Sequence, residues 1–309
     1  MKNLGNSFEY TKEIMSHKIE TMEESYYQNS LYNLKRYLQG AKKYSSVGLY
    51  LDRLSNWQLW CFLYEYTNNN KVDFNLLAQS AYSGVWANRW EYKIGMVAKP
   101  YSDSIIFTKS SADLATLLFL DHFNQAESYL FLLKAMLDGK QSDSFASYPA
   151  YPWFILDLCL RANGEQISPS WNYPKQMGIY GKVLEHWDTE DKALVDELIE
   201  ELCLHHIRQS DEDSQYQEPD DAGNFDPDAA GWELLEFSSA DYFIFPVEIH
   251  AWLSLRRKRG LYCGGHLPEL LRYAINIPPA YISVPQKSPL IAQCVEKFAN
   301  DYPDIRFEI

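Results

Sequence analysis

Apolar residues return every third or fourth position through most of this chain, and that spacing constrains the fold more than any other feature. It is the period of a helix with one buried face. In residues 6–38 it picks out Ile14, Ile19, Met22, Leu31, Leu34 and Leu38, which predicts one or two amphipathic helices. In residues 47–67 it picks out Leu51, Leu54, Leu59, Phe62, Leu63 and Tyr66, and the run stops at Asn68-Asn69-Asn70. Asp73 is placed to N-cap a helix over about 74–92. There, Ala78, Ala81, Gly84 and Ala87 leave room for a close neighbour. The pattern breaks over 93–108, where Ile105-Ile106-Phe107 suggests at most a short strand near 103–108 or an irregular excursion. It resumes over 111–122, 124–138 and 149–162, with Gly139 and Gly164 at stop positions. Further helices are expected over 189–208, 240–258, 266–275 and 287–299. In 189–208, Leu194, Val195, Leu198, Ile199 and Leu202 should be buried. Thr189-Glu190-Asp191 and His205, His206 and Arg208 would complement the two ends of the helix dipole. The fold class that follows is all-α: one domain over 1–309, an antiparallel multi-helix bundle or an irregular helical array.

Forty-six per cent of the residues are hydrophobic, enough for a packed core and too many for a disordered chain. No run approaches the ~18 unbroken apolar residues of a membrane span. Met1–Ser7 has no apolar signal region, so the expected compartment is the cytoplasm. The five cysteines, Cys61, Cys159, Cys203, Cys263 and Cys294, are scattered and form no CxxC pair, which fits reduced thiols. The 23 Tyr, 15 Phe and 9 Trp are spread along the chain as core filler would be, and not gathered as a ligand cage.

Chemistry-bearing motifs are largely missing. There is no G-x-S-x-G nucleophile turn and no phosphate-cradling glycine loop; Gly264-Gly265 is a bare pair. Cys203, His205, His206, Cys263 and His266 lack the spacing of a zinc set, so a helix-end histidine pair and a buried thiol are the expectation. Asp226-Pro227-Asp228-Ala229-Ala230-Gly231 starts like a calcium loop, but Ala230 and Phe237 stand where ligands are required. No metal and no cofactor is expected. Many carboxylate pairs could be drawn from 42 acids, and no spacing sets one apart. Glu65 and Asp157 are each expected to be solvated, capping or salt-bridged.

One segment differs in composition. Ser210–Asp228 carries Asp211, Glu212, Asp213, Glu218, Asp220, Asp221, Asp226 and Asp228 and no base. The formal charge is −14, and without these eight acids it would be 28 − 34 = −6. With Pro219, Pro227 and Gly223 the tract cannot build a core, and it should be a mobile, solvated loop between two helices. It reads either as a solubilising linker or as a docking surface for a basic partner, with Tyr216 and Phe225 as aromatic anchors. The charge argues against nucleic acid or an anionic membrane as partner. No heptad seam is evident, so monomer and homodimer both stand open.

A resemblance enters in the C-terminal third. Phe243-Ile244-Phe245-Pro246-Val247-Glu248-Ile249-His250-Ala251-Trp252-Leu253 is followed by Gly260 and then by Gly265-His266-Leu267-Pro268-Glu269-Leu270-Leu271. This order resembles the end of the bacterial immunity protein 49 family, found beside polymorphic toxins. Leu202-Cys203-Leu204-His205-His206 is similar to that family's Leu-His helix end. The Trp57–Trp60 and Ser80–Trp90 stretches look like its early helices. The chain departs from the family in having fewer alanines early, a longer acidic tract, and residues beyond the Leu-Pro-x-x-Leu-Leu close. The resemblance implies an all-helical, non-catalytic protein that neutralises a cognate toxin by binding. An acidic binder would suit the basic cleft of a toxin that attacks nucleic acid. The alternatives are another all-α immunity family, such as one paired with DNase effectors, a helical enzyme with an unrecognised carboxylate site, and a helical adaptor unrelated to toxins.

Overall fold

The computed structural model describes residues 4–41, 46–97, 106–139, 149–211, 235–285 and 288–305. Its helices are α1 (Leu4–Met22), α2 (Asn29–Leu38), α3 (Val47–Asn69), α4 (Phe74–Val97), α5 (Phe107–Phe119), α6 (Phe123–Asp138), α7 (Tyr151–Ala162), α8 (Gly178–Glu185), α9 (Lys192–Arg208), α10 (Val247–Lys258), α11 (Glu269–Arg272) and α12 (Pro289–Asp301). A π-helical segment, Glu23–Gln28, joins α1 to α2, and a 3-10 turn, Ala274–Asn276, follows α11. Among the described residues there is no strand; an isolated parallel bridge joins Ser210 and Phe237. The fold is all-α, as the periodicity implies. No described helix is long and apolar enough to cross a membrane.

Three helices form the centre. α5, α7 and α10 are buried almost all round, and α10 packs on both of the others. A helix apolar on every side has nowhere to go but the interior. Trp153 and Trp252 are fully buried there, and Phe107 meets Trp153 edge-on at 4.7 Å. A second cluster gathers Leu34, Tyr37, Leu51, Trp90, Cys294 and Phe298 from α2, α3, α4 and α12.

The α3–α4 pair shows why small residues matter. The short link at 70–73 turns the chain back, and Asp73 caps α4 by accepting from Asn75 N at 3.1 Å. The helices come close enough for Ser55 Oγ to donate to Ser80 O, and Ser80 Oγ to Ser55 O, each at 2.8 Å. Several helices end on a left-handed residue that lets the next N–H reach back to a free carbonyl. Gly164 (φ +75°) lets Glu165 N donate to Leu160 O, and Asn70 (φ +51°) does the same for Lys71 N and Glu65 O.

The structure corrects several boundaries. α9 begins at Lys192, not at 189. Asp191 acts as its N-cap, accepting from Ala193 N (3.0 Å) and Leu194 N (3.3 Å), so Thr189 and Glu190 lie outside the helix. Leu194 is half-buried; Val195, Leu198, Ile199, Leu202, Cys203 and His206 make the inner face. Residues 240–246 are turns, because α10 can start only after Pro246. Phe107 and Thr108 begin α5 instead of a strand, with Ser111 Oγ tied back to Phe107 O at 2.6 Å; 103–105 lie outside the described residues. Gly139 follows α6 with an ordinary φ of −78°. α8 was not expected at all.

Candidate functional site

The acidic tract is mounted on a rigid base. Ser210 is the last residue of α9's frame and not the start of a loop: it is buried, and its hydroxyl donates to His206 O at 2.7 Å. Asp211 N then donates to Phe237 O (3.2 Å), and Phe237 N donates to Gln209 O (3.1 Å). The chain thus leaves and re-enters the fold at one place. Of the candidate contact residues only Asp211 is described, half-buried. Glu212, Asp213, Tyr216, Glu218, Asp220, Asp221, Phe225, Asp226 and Asp228 lie outside the described residues.

Beneath this base sits a set of buried acids. Glu236 Oε2 accepts from both Ala150 N (2.8 Å) and Tyr151 N (2.9 Å), and so caps α7. Such a cap satisfies donors that a helix start leaves open. Burial nevertheless pushes the Glu236 carboxyl up to about 7, against the pull of those two N–H groups. His206 and Glu248 are completely buried side by side, with Nδ1 and Oε1 2.8 Å apart. His206 Nε2 faces the Tyr242 carbonyl at 3.1 Å, so that nitrogen carries a proton. Glu248 Oε2 has no hydrogen-bond partner.

Tyr242 leads to a second group. Burial first, and then the neighbouring Tyr151 and Asp113, raise its phenol well above the usual range. Lys18 pairs with Asp241 at 2.8 Å. Lys109 on α5 reaches Asp113 Oδ1 (2.5 Å) and Ser55 Oγ (2.8 Å). Asp113 Oδ2 is buried without a partner, and burial lifts the Asp113 carboxyl to about 7 despite Lys109. Ser55 and Lys109 have the makings of a nucleophile and base. Yet Ser55 is fully buried and spends its proton on Ser80 O, so no substrate atom can reach it.

Two clefts lie elsewhere. One, of 670 Å³, runs between α2, α3, α4 and the start of α12 and is walled by Tyr27, Leu31, Tyr82, Trp86 and Leu290. The other, of 650 Å³, is polar. In it Asp157 accepts from Arg161 Nε and from the Tyr173 hydroxyl, each at 2.8 Å, and Arg259 stacks over Trp187. Asp157 is therefore a salt-bridged structural acid, and Glu65 stands 3.9 Å from Lys71 at the surface. His205 lies edge-on to Tyr180. Among the described residues no three His, Cys, Asp or Glu side chains are placed to hold a metal ion.

Spacing did not reveal the buried acids, but the sequence carried a signal. Each sits alone inside an apolar run: Asp113 between Ala112 and Leu114, Glu236 between Leu235 and Phe237, Glu248 between Val247 and Ile249. An acid in such a place is buried with a partner or a proton. No protein-family model, curated protein or solved structure matches this chain.

Proposed function

We propose that this chain is a cytoplasmic immunity-type protein that binds a basic toxin domain and blocks it by occlusion, without catalysis. The observation that carries the reading is the mounting of the acidic tract. Ten carboxylates, eight of them in the tract to Asp228, and no base are inserted between Ser210 and Phe237, two buried residues bridged to each other. The described residues at its two ends, Asp211 and Phe237, are joined by a backbone hydrogen bond. Carboxylates so gathered steer a basic partner and compete with phosphate for its cleft. The resemblance of 243–271 to an immunity family points the same way.

A second reading, a helical enzyme, draws on the Lys109, Asp113 and Tyr242 group. Its weakness is Ser55, whose burial keeps that hydroxyl from any substrate.

The test is capture of the tagged chain's partner from native lysate at low and high salt, with identification by mass spectrometry. A stoichiometric basic protein, weakened by salt, is the expected result. No partner at either salt would return the tract to a linker. With a partner in hand, neutralising Asp211, Glu212, Asp213, Asp220 and Asp221 together should slow association about tenfold or more, and change dissociation far less.

A further inference from the structure

We propose that the 670 Å³ cleft between α2, α3, α4 and the start of α12 binds a small neutral heteroaromatic molecule: a flat ring with a donor and an acceptor side by side on one edge, the chemistry of a free nucleobase. The proposal stands apart from the immunity reading, because the described walls of the cleft are these helices and the 283–285 segment, not the acidic tract.

α4 sets out the two halves of the site. Asn75, Gln79 and Ser83 recur every four residues and form a polar row on the cleft side. Tyr82 and Trp86, also four apart, form the adjoining aromatic row. Rows offset by three residues on a helix stand about 5–6 Å apart. A flat ring resting against the aromatic row therefore carries its edge to the polar row. Gln79 is exposed, and its amide makes no hydrogen bond among the described residues, so it offers a donor and an acceptor together. Asn75 spends its nitrogen on Asp73 Oδ1 (3.2 Å) and keeps an oxygen to accept. Ser83 Oγ and the Gln58 amide stand 2.9 Å apart and fix one another. α2 and α3 add apolar wall through Leu31, Leu34 and Leu54, and the Tyr27 ring is stacked on Trp57 at 6.0 Å.

The cleft is both open and fixed. Asn75, Gln79, Ser283 and Ser288 are exposed at its rim, while Leu34 and Leu54 are buried. The 283–285 segment forms one wall and is pinned where His122 Nε2 meets Ile282 O at 2.9 Å. The volume falls within the ~300–1,000 Å³ of small-molecule sites. None of the described residues lining it is charged. A charged ligand would leave water and meet no counter-charge there. The start of α12 offers an anion little, because Pro289 has no N–H and Ile291 N donates to Ser288 Oγ at 3.2 Å. A sugar fits poorly too. Its hydroxyls stand all round the ring, and those turned to the leucines would lose their hydrogen bonds. A heteroaromatic ring has two apolar faces and keeps its polar atoms on the edge.

The experiment titrates adenine, hypoxanthine and uracil into the full chain by calorimetry, with glucose as the sugar control and adenosine set against its monophosphate as the charge control. Saturable binding of at least one base is expected, and glucose should not bind. Gln79→Met keeps the length of the side chain and removes both hydrogen bonds at the edge, so it should weaken that base about tenfold. Gln79 is exposed, and the variant should melt with the native protein. Leu31→Trp fills the cleft from α2 and should abolish binding. The proposal is overturned if none of the three bases saturates, or if Gln79→Met binds the base as tightly as the native chain does. Glucose competing for the same site, or adenosine monophosphate binding more tightly than adenosine, overturns it as well, because the ligand would then be a sugar or an anion.

Discussion

Gly84 tests the packing logic of the fold at one atom. A Cβ added there would stand 2.0 Å from Asp113 Oδ2, 2.7 Å from its Cγ and 3.1 Å from Oδ1. The carboxylate would have to retreat more than an ångström to reach ordinary contact. It is not free to do so, because Oδ1 holds Lys109 Nζ at 2.5 Å and Lys109 also holds Ser55 at 2.8 Å. Overpacking of this kind costs about 1–3 kcal/mol. Displacing Asp113 from Lys109 adds part of the ~3–5 kcal/mol that a broken buried pair carries. Against this, alanine in a helix interior gains about 1 kcal/mol over glycine. The net expectation for Gly84→Ala is a loss of about 2–4 kcal/mol. The control is the same change in an Asp113→Ala background. With the obstacle gone, Gly84→Ala should cost nothing or gain up to ~1 kcal/mol. Urea unfolding of the four proteins of this cycle, followed by tryptophan fluorescence and by circular dichroism, measures the coupling. An equal cost in both backgrounds would refute the reasoning, because the penalty would then belong to backbone and not to Asp113.

Other positions make simpler cases. Leu198 is fully buried on α9, so Leu198→Ala should lose about 2–5 kcal/mol in urea unfolding while leaving partner affinity unchanged. Arg256 is fully buried and donates to three carbonyls, Tyr262 O (2.8 Å), Trp187 O (2.9 Å) and Thr189 O (2.8 Å), which ties α10 to the α8–α9 link. Lysine cannot serve all three from one nitrogen, and Arg256→Lys should lower stability by about 2–4 kcal/mol, read from the urea midpoint. Glu236 has no basic partner among the described residues, and its folded value, about 7, lies above its ordinary 4.5. A raised carboxyl contributes stability below the ordinary value and loses it as pH climbs through the raised one. Stability should therefore fall between those two values. Glu236→Gln keeps a carbonyl for the two α7 N–H groups, so it should flatten that slope and be more stable at alkaline pH by on the order of 1–3 kcal/mol. Urea midpoints across the range, with Asp113→Asn as a second variant, check the assignment.

What was legible from the sequence was what depends on local period. α3, α6 and α7 have long apolar stripes and plain stops, and they stand close to where spacing puts them. α8 was illegible because Gly178-Ile179-Tyr180-Gly181-Lys182-Val183-Leu184-Glu185 has two glycines and barely two turns. Its propensity is poor, and it is held by Tyr180 stacking on Phe154 at 4.8 Å, a contact with a helix some twenty residues earlier. Residues 240–246 read as helix for the opposite reason: Tyr242, Phe243, Ile244 and Phe245 are apolar and buried, but they are buried as turns ahead of a proline.

The candidate site divides along the same line. Composition alone isolates the tract, because charge does not need geometry. The buried group around Lys109 needs it. Ser55, Lys109 and Asp113 come from α3 and α5, and only Lys109 and Asp113 are near enough in sequence, four residues apart on one helix face, to be paired by spacing. The remaining signal is the isolated acid in an apolar run, which says that a proton or a cation must be found without saying which. At Glu248 the His206 ring meets that need, and at Asp113 the Lys109 ammonium does. At Glu236 the described fold supplies no cation, so a proton meets the need, and burial lifts that carboxyl to about 7.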